Sequence, residues 1–274
     1  MCIRDRCLSC GDKKRTIGEE QAEKVSQTVL KPKFQSIIDA AEVEGVILVY
    51  DLKKDIYYSN DFQLSKKGFL PASTFKIANS IIGLETGVIE SDSTIFQWDG
   101  LKKGIKNWEQ DLVLKDAFQF SCVPCYQKVA RNIGAKKMNE YINKLNYGSL
   151  KIDSTNIDKF WLEGASRISP IQQIDFIKRF YEHQIPINER TDKILRNIML
   201  IKKTDKYWLS GKTGLSITNQ KYNGWFVGYL ESNDNTYIFA TNLKPKTGFD
   251  FNEFIDKRLN LTISAFKIIN VLNY

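Results

Sequence analysis

Short β-rich apolar runs sit near both ends of the chain, and apolar positions recur at helical spacing between them. Gly45-Val46-Ile47-Leu48-Val49-Tyr50 reads as a strand, and Ile56-Tyr57-Tyr58 returns after a turn at Lys53-Lys54-Asp55, which predicts a hairpin. Ahead of it, Phe34 to Ala41 has the pattern of a short amphipathic helix. A second helix starts at Ser73, with Ile77, Ile81 and Leu84 on one face and Gly87 near its end. The stretch from about 115 to 200 is mainly helical in pattern, 207–243 returns to strand with Trp225-Phe226-Val227 and Tyr237-Ile238-Phe239-Ala240, and the last 24 residues read as a helix. These elements predict an α+β unit: one central antiparallel sheet, built from distant segments and flanked by helices, with a mainly helical region inserted over about residues 73–200. The domain spans 33–274, while residues 1–32 read as a leader remnant and a flexible tether, polar from residue 11.

Composition narrows the class. The 274 residues are 42% hydrophobic with sixteen Phe, only sixteen Gly and six Pro, and no internal repeat, so a large globular core is expected. The net charge is +8, of which the first 33 residues hold +3. No dense basic block with interleaved aromatics follows, so nucleic acid is not an expected partner. The single histidine, His183, excludes a two-histidine zinc helix. With no Gly-x-Ser-x-Gly elbow to serve, it is read as a surface residue. No apolar run approaches the roughly 18 residues that cross a bilayer, and no hydrophobic stretch of signal-peptide kind opens the chain. Leu8-Ser9-Cys10-Gly11-Asp12 is nonetheless similar to the cleavage junction of a bacterial lipoprotein precursor, which makes Cys10 the candidate for lipidation; an ordinary tail reads nearly as well. Cys122-Val123-Pro124-Cys125 copies the spacing of thioredoxin-like sites at a helix N-terminus, but the strand-helix-strand surroundings are missing. Structural cysteines, free or joined locally, are expected there.

Ser73-Thr74-Phe75-Lys76 places a hydroxyl and an amine three residues apart at a helix start, where the amine can take the serine proton and the helix N-terminus favours developing negative charge. Alone, the pair reads as an N-cap serine beside a solvated lysine. Ser264-Ala265-Phe266-Lys267 has the same spacing in the last helix. Two further segments change the balance: Ser121-Cys122-Val123, and Lys212-Thr213-Gly214 on a strand. The latter is not a phosphate loop, because Lys206 stands where that motif needs its first glycine.

A serine with a lysine three residues on, a mid-chain serine motif and a late Lys-Thr-Gly strand are the grammar of penicillin-recognising serine enzymes. Within that group the chain closely resembles class D β-lactamases, the oxacillinases. The matching segments are Ser73 to Ser80, Trp98-Asp99-Gly100, Ser121-Cys122-Val123-Pro124, Tyr147-Gly148, Phe160-Trp161-Leu162-Glu163-Gly164, Ile168-Ser169-Pro170, Lys212-Thr213-Gly214 and Trp225-Phe226-Val227-Gly228, all within about residues 70–230. One departure is Ser149, where the family usually shows Asn after Tyr-Gly; a hydroxyl lacks an amide's paired donor and acceptor, so altered loop contacts are expected.

The resemblance implies a role for each position. Ser73 is the acylated nucleophile, and Lys76, as an N6-carboxylysine, the general base. Ser121 relays protons, and Trp161 donates its indole N–H to the carbamate. Lys212, Thr213 and Arg258 hold the substrate carboxylate, Arg258 on a weaker local match. Gly214 belongs to the same strand, backbone N–H groups of Ser73 and Leu215 form the oxyanion hole, and Val123 and Leu162 line the site. The implied partner is a small-molecule β-lactam and the implied location the periplasm, as a lipoprotein if Cys10 is acylated. No bound metal or nucleotide is implied; carbon dioxide or bicarbonate is the hidden cofactor. An ordinary lysine with a pKa of about 10.4 has roughly one molecule in a thousand neutral near pH 7.4, so carboxylation needs burial, which lowers the pKa by up to ~3–5 units. Two rivals remain: the sensor domain of a β-lactam-responsive transducer, which stays acylated, and a thiol-disulfide protein using Cys122 and Cys125.

Overall fold

In the computed structural model, which describes residues 26–232, 235–246 and 249–272, the strand-forming runs from the two ends of the chain meet in one seven-stranded sheet. The chain runs through β1 (Gln27–Leu30), α1 (Pro32–Ala40), β2 (Val43–Asp51) and β3 (Ile56–Ser59), then through a 3-10 turn (Ala72–Phe75) into α2 (Lys76–Glu85). There follow β4 (Ile95–Phe96), β5 (Leu112–Val113), α3 (Leu114–Gln119), α4 (Val123–Ile133), α5 (Ala135–Leu145), α6 (Pro170–Tyr181) and α7 (Glu189–Met199). The return is β6 (Leu200–Lys203), β7 (Tyr207–Thr218), β8 (Lys221–Ser232), β9 (Asn235–Pro245) and α8 (Phe251–Ile268). Spatial order is β1-β3-β2-β9-β8-β7-β6, antiparallel throughout except that β1 runs parallel to β3.

The central strands are buried on both faces, which is why their sequences read as continuous apolar runs. Trp225, Val227 and Tyr229 of β8 face the inserted helices with Ile238 and Ala240 of β9, whereas Phe226, Leu230, Phe239 and Leu243 face α1 and α8. The period of two therefore sorts one strand between two cores. Helix starts follow the local chemistry. Ser169 and Gln172 form a capping box ahead of Pro170 on α6, and Asp250 Oδ1 accepts from the Glu253 N–H at the start of α8, 2.9 Å.

Several boundaries differ from the sequence reading. Residues 27–30, assigned to the tether, form the edge strand β1, because Lys31 N–H and Ser59 O, 2.7 Å apart, hold the segment against β3. The helix expected from Ser73 begins as a 3-10 turn, with regular α-helix starting at Lys76. Residues 146–169, inside the stretch read as helical, are turns pinned by the Ser149–Arg167 and Phe69–Ile168 bridges. Cys10 and the rest of residues 1–25 lie outside the described residues.

Candidate active site

The turn that carries Ser73 is clamped between a strand and a loop. Ala72, the residue before Ser73, has φ +51°, a left-handed conformation costly for a residue with a Cβ. Its N–H donates to Trp161 O at 2.8 Å, which ties the bend to the Trp161 loop. On the other side lies β7. A Cβ built on Gly214 would sit 3.2 Å from Ser73 N and 3.1 Å from Thr74 Cγ2, so glycine is what lets the Lys-Thr-Gly strand come this close. Thr74 Oγ1 donates to Pro71 O at 2.6 Å and accepts from Gln173 Nε2 at 2.8 Å, which fixes the turn from beneath.

Lys76 is fully buried, and its Nζ lies 2.9 Å from Ser73 Oγ. Desolvation, and then repulsion from Lys212, hold its pKa well below the ordinary lysine value, so the neutral amine is favoured. Its apolar surroundings include the ring of Tyr126, 5.1 Å from Nζ to the centroid. Phe75, one residue earlier, packs on Phe160 at 4.9 Å and stacks on Trp161 at 5.6 Å between centroids. Trp161 is itself fully buried, and its Nε1–H is unpaired among the described residues. An orphaned indole donor is costly to bury.

Lys212 on β7 reaches across the cleft to donate to Ser121 Oγ, and also donates to Thr213 O at 3.0 Å. Burial first, and then the Arg258 charge, lower its pKa to about 7. Arg258 comes from α8 on the far face of the sheet. Its Nη1 donates to Gly214 O at 2.7 Å and its Nε to Ile255 O at 2.9 Å. The side chain crosses β8 at Gly224, where a Cβ would meet Arg258 Cδ at 2.9 Å and Phe254 Cζ at 2.8 Å. Desolvation brings the guanidinium down to about 10, partly offset by Asp256.

The structure thus gathers Ser73, Lys76, Ser121, Lys212, Thr213 and Gly214, with Trp161 on the loop bonded to Ala72 and Arg258 behind the strand. Val123, half-buried, opens α4 two residues after Ser121, and Leu162, half-buried, follows Trp161. Leu215 is half-buried next to Gly214, with its side chain packed towards α8. Cys122 and Cys125 are disulfide-bonded, which resolves the open question of their state. The competing pair fares differently: Lys267 is exposed on the surface of α8 and Ser264 only half-buried. His183 is exposed beside Asp192, at 3.4 Å. Ser149 pairs with Arg167 through backbone alone, 2.8 Å each way, so that bridge does not need an asparagine side chain. Gln173 and Tyr126 were missed as site residues; for Gln173 the signal was a polar side chain on the apolar stripe of Phe176, Ile177 and Phe180.

Comparison with known proteins agrees with this geometry. The penicillin binding protein transpeptidase domain model matches residues 36–257. Beta-lactamase OXA-10 of Pseudomonas aeruginosa is 39% identical over 207 residues, 74% of this chain and 77% of that protein. The chain belongs to the class D β-lactamase family. Beta-lactamase OXA-48 of Klebsiella pneumoniae is 36% identical over 218 residues, covering 79% of this chain and 82% of its own. The crystal structure of a class D β-lactamase from Sebaldella termitidis superposes with a TM-score of 0.86 at 36% identity, over 90% of this chain and 100% of that one. The regulatory protein BlaR1 of Bacillus licheniformis is also similar, 29% identical over 212 residues, 77% of this chain but only 35% of that protein.

Proposed function

We propose that the protein hydrolyses β-lactam antibiotics through an acyl-enzyme on Ser73. The observation that carries the proposal is the buried Ser73–Lys76 pair, 2.9 Å apart. The neutral Lys76 amine is placed to receive the Ser73 proton as Oγ attacks the lactam carbonyl. As the lactam C–N bond breaks, the leaving nitrogen takes a proton from Ser121, and the proton that Lys76 received from Ser73 replaces it, so Lys76 ends neutral and Ser121 remains a hydroxyl, held by Lys212. Backbone N–H groups of Ser73 and Leu215 receive the oxyanion, each such donor contributing about 3 kcal/mol. Lys212 and Thr213, with Arg258 behind them, orient the substrate carboxylate, while Val123 and Leu162 limit water at the mouth.

Whether these residues suit a lysine carbamate is tested by two features. The Lys76 amine is buried enough to be neutral, as reaction with carbon dioxide requires, and Trp161, stacked on neighbouring Phe75, has a buried Nε1–H that is unpaired among the described residues. Both fit. Lys76 would carry the group and Trp161 would hold it, and when bound it supplies a carboxylate base able to activate water for deacylation. Periplasmic residence, with acylation of Cys10 as anchor, is part of the same proposal.

The test is rapid-quench mass spectrometry with benzylpenicillin. A Ser73 adduct that forms and clears within seconds is expected. An adduct that persists for many minutes would overturn hydrolysis in favour of the sensor reading, to which the BlaR1 similarity points. No adduct at Ser73 would reject both.

A further inference from the structure

The cysteines at 122 and 125 have no part in the chemistry above, yet they flank it. Ser121 is a non-glycine residue at φ +54°, held there by its N–H to Phe118 O, 3.1 Å, and by the N–H of Cys122 to Ala117 O, 2.9 Å. That left-handed bend aims the hydroxyl back at Lys212. Such a conformation lasts only where the neighbouring structure over-determines it. Cys122 is both the next residue and the N-cap of α4, and its bond to Cys125 closes the first helical turn, with the two Cα atoms 5.5 Å apart. The Cys125 N–H also donates to Cys122 Sγ at 3.2 Å. Pro124 stiffens the same turn. The Ser121 bend therefore leads straight into a covalently closed ring.

We infer that the Cys122–Cys125 disulfide is a positioning brace for Ser121, so that cleaving it slows acylation of Ser73 while leaving substrate binding nearly unchanged. The inference rests on the hydrolase reading of the site. Access to the bond is one-sided. Both cysteines border a cavity of about 250 Å³ with Trp98, Trp108 and Pro124 in its wall, but Cys122 is 1% exposed whereas Cys125 is half-buried, so Cys125 is the more open of the two. A dithiol reductant would attack Cys125 Sγ, and the S–S electron pair would leave on Cys122 Sγ. There the Cys125 N–H and the α4 N-terminus stabilise a thiolate. The second thiol of the reductant then resolves the mixed disulfide. The protein gains two thiols and the reductant departs as its own disulfide, so electrons and sulfur balance.

The experiment compares full-length oxidised protein, the same protein reduced with dithiothreitol, the reduced protein reoxidised, and Cys125→Ser, which breaks the bond but keeps the Cys122 cap. Rapid-quench mass spectrometry with benzylpenicillin gives the acylation rate constant and the apparent binding constant, and thermal melting reports folding. Reduction and Cys125→Ser are expected to lower the acylation rate constant about tenfold, the factor that 1.4 kcal/mol represents. The binding constant should stay within about twofold, and reoxidation should restore the wild-type rate alone. Equal rates in the oxidised and reduced forms overturn the brace, as does a fall confined to the melting temperature. Absence of a Ser73 adduct in the oxidised protein is a different result, because it removes the hydrolase reading itself.

Discussion

Replacing Trp161 by phenylalanine removes one N–H and keeps an aromatic ring in a fully buried slot, with Phe75 at 5.6 Å and Phe160 at 5.0 Å between centroids. If that N–H is the carbamate's donor, its loss costs a hydrogen bond to a charged group, about 1.5–3 kcal/mol, or roughly 10–150-fold in the carboxylation equilibrium. The half-saturating bicarbonate concentration for turnover should rise by about that factor, and deacylation should slow more than acylation. Stability gives an independent reading. If Lys76 is carboxylated only in the folded protein, added bicarbonate should raise the wild-type melting temperature and barely move that of Trp161→Phe. In bicarbonate-free buffer the variant loses ring packing but also loses a buried unpaired donor, so the two effects oppose and the net change should lie within about 2 kcal/mol. The carbamate itself is observable by ¹³C NMR with labelled bicarbonate. An unchanged bicarbonate midpoint in the variant, or an equal loss in both chemical steps, would refute the reasoning.

The pH dependence carries a second expectation. Lys212, lowered to about 7 by burial and then by Arg258, loses its charge as pH rises through that value, so kcat/KM for carboxylate-bearing substrates should fall above about pH 7. Lys76 is lowered as well and must stay neutral, so activity should also fall on the acid side, with bicarbonate restoring part of it; an alkaline limb flat to about pH 9 would contradict the Lys212 assignment. Gly214→Ala sets a Cβ 3.2 Å from Ser73 N and forces β7 away by a few tenths of an ångström, which should cost about tenfold or more in kcat with little change in melting temperature. Ser264→Ala should leave turnover unchanged while Ser73→Ala abolishes the adduct; loss of activity in the former would reverse the choice between the two serine–lysine pairs.

The sheet and its helical insertion were legible because β2, β8 and β9 are buried on both faces and so print unbroken apolar runs. The short edge strand β1 was not, since an exposed four-residue strand carries no periodicity, and Gln27, Thr28 and Leu30 are all exposed. The loop 146–169 was grouped with the helices around it because its apolar residues, such as Phe160 and Trp161, are as dense as those of a core helix, although they do not repeat at helical spacing. At the site, spacing alone could not separate Ser73–Lys76 from Ser264–Lys267, but the order of the later motifs chose Ser73, with Ser121 and Lys212 after it. Burial agrees, since Lys76 is fully buried and Lys267 is exposed. The Thr74–Gln173 bond spans 99 residues, a separation at which only the folded chain brings partners together.

The way Arg258 reaches the cleft ties two distant positions into one unit. Its stem threads the notch left by the absent side chain at Gly224, delivering positive charge to β7 at Gly214 from the rear. A Cβ at 224 would meet Phe254 Cζ at 2.8 Å and Arg258 Cδ at 2.9 Å, so the ring or the arginine stem has to shift to admit it. Positions 224 and 258 are therefore coupled by packing: a change at one alters the space in which the other sits.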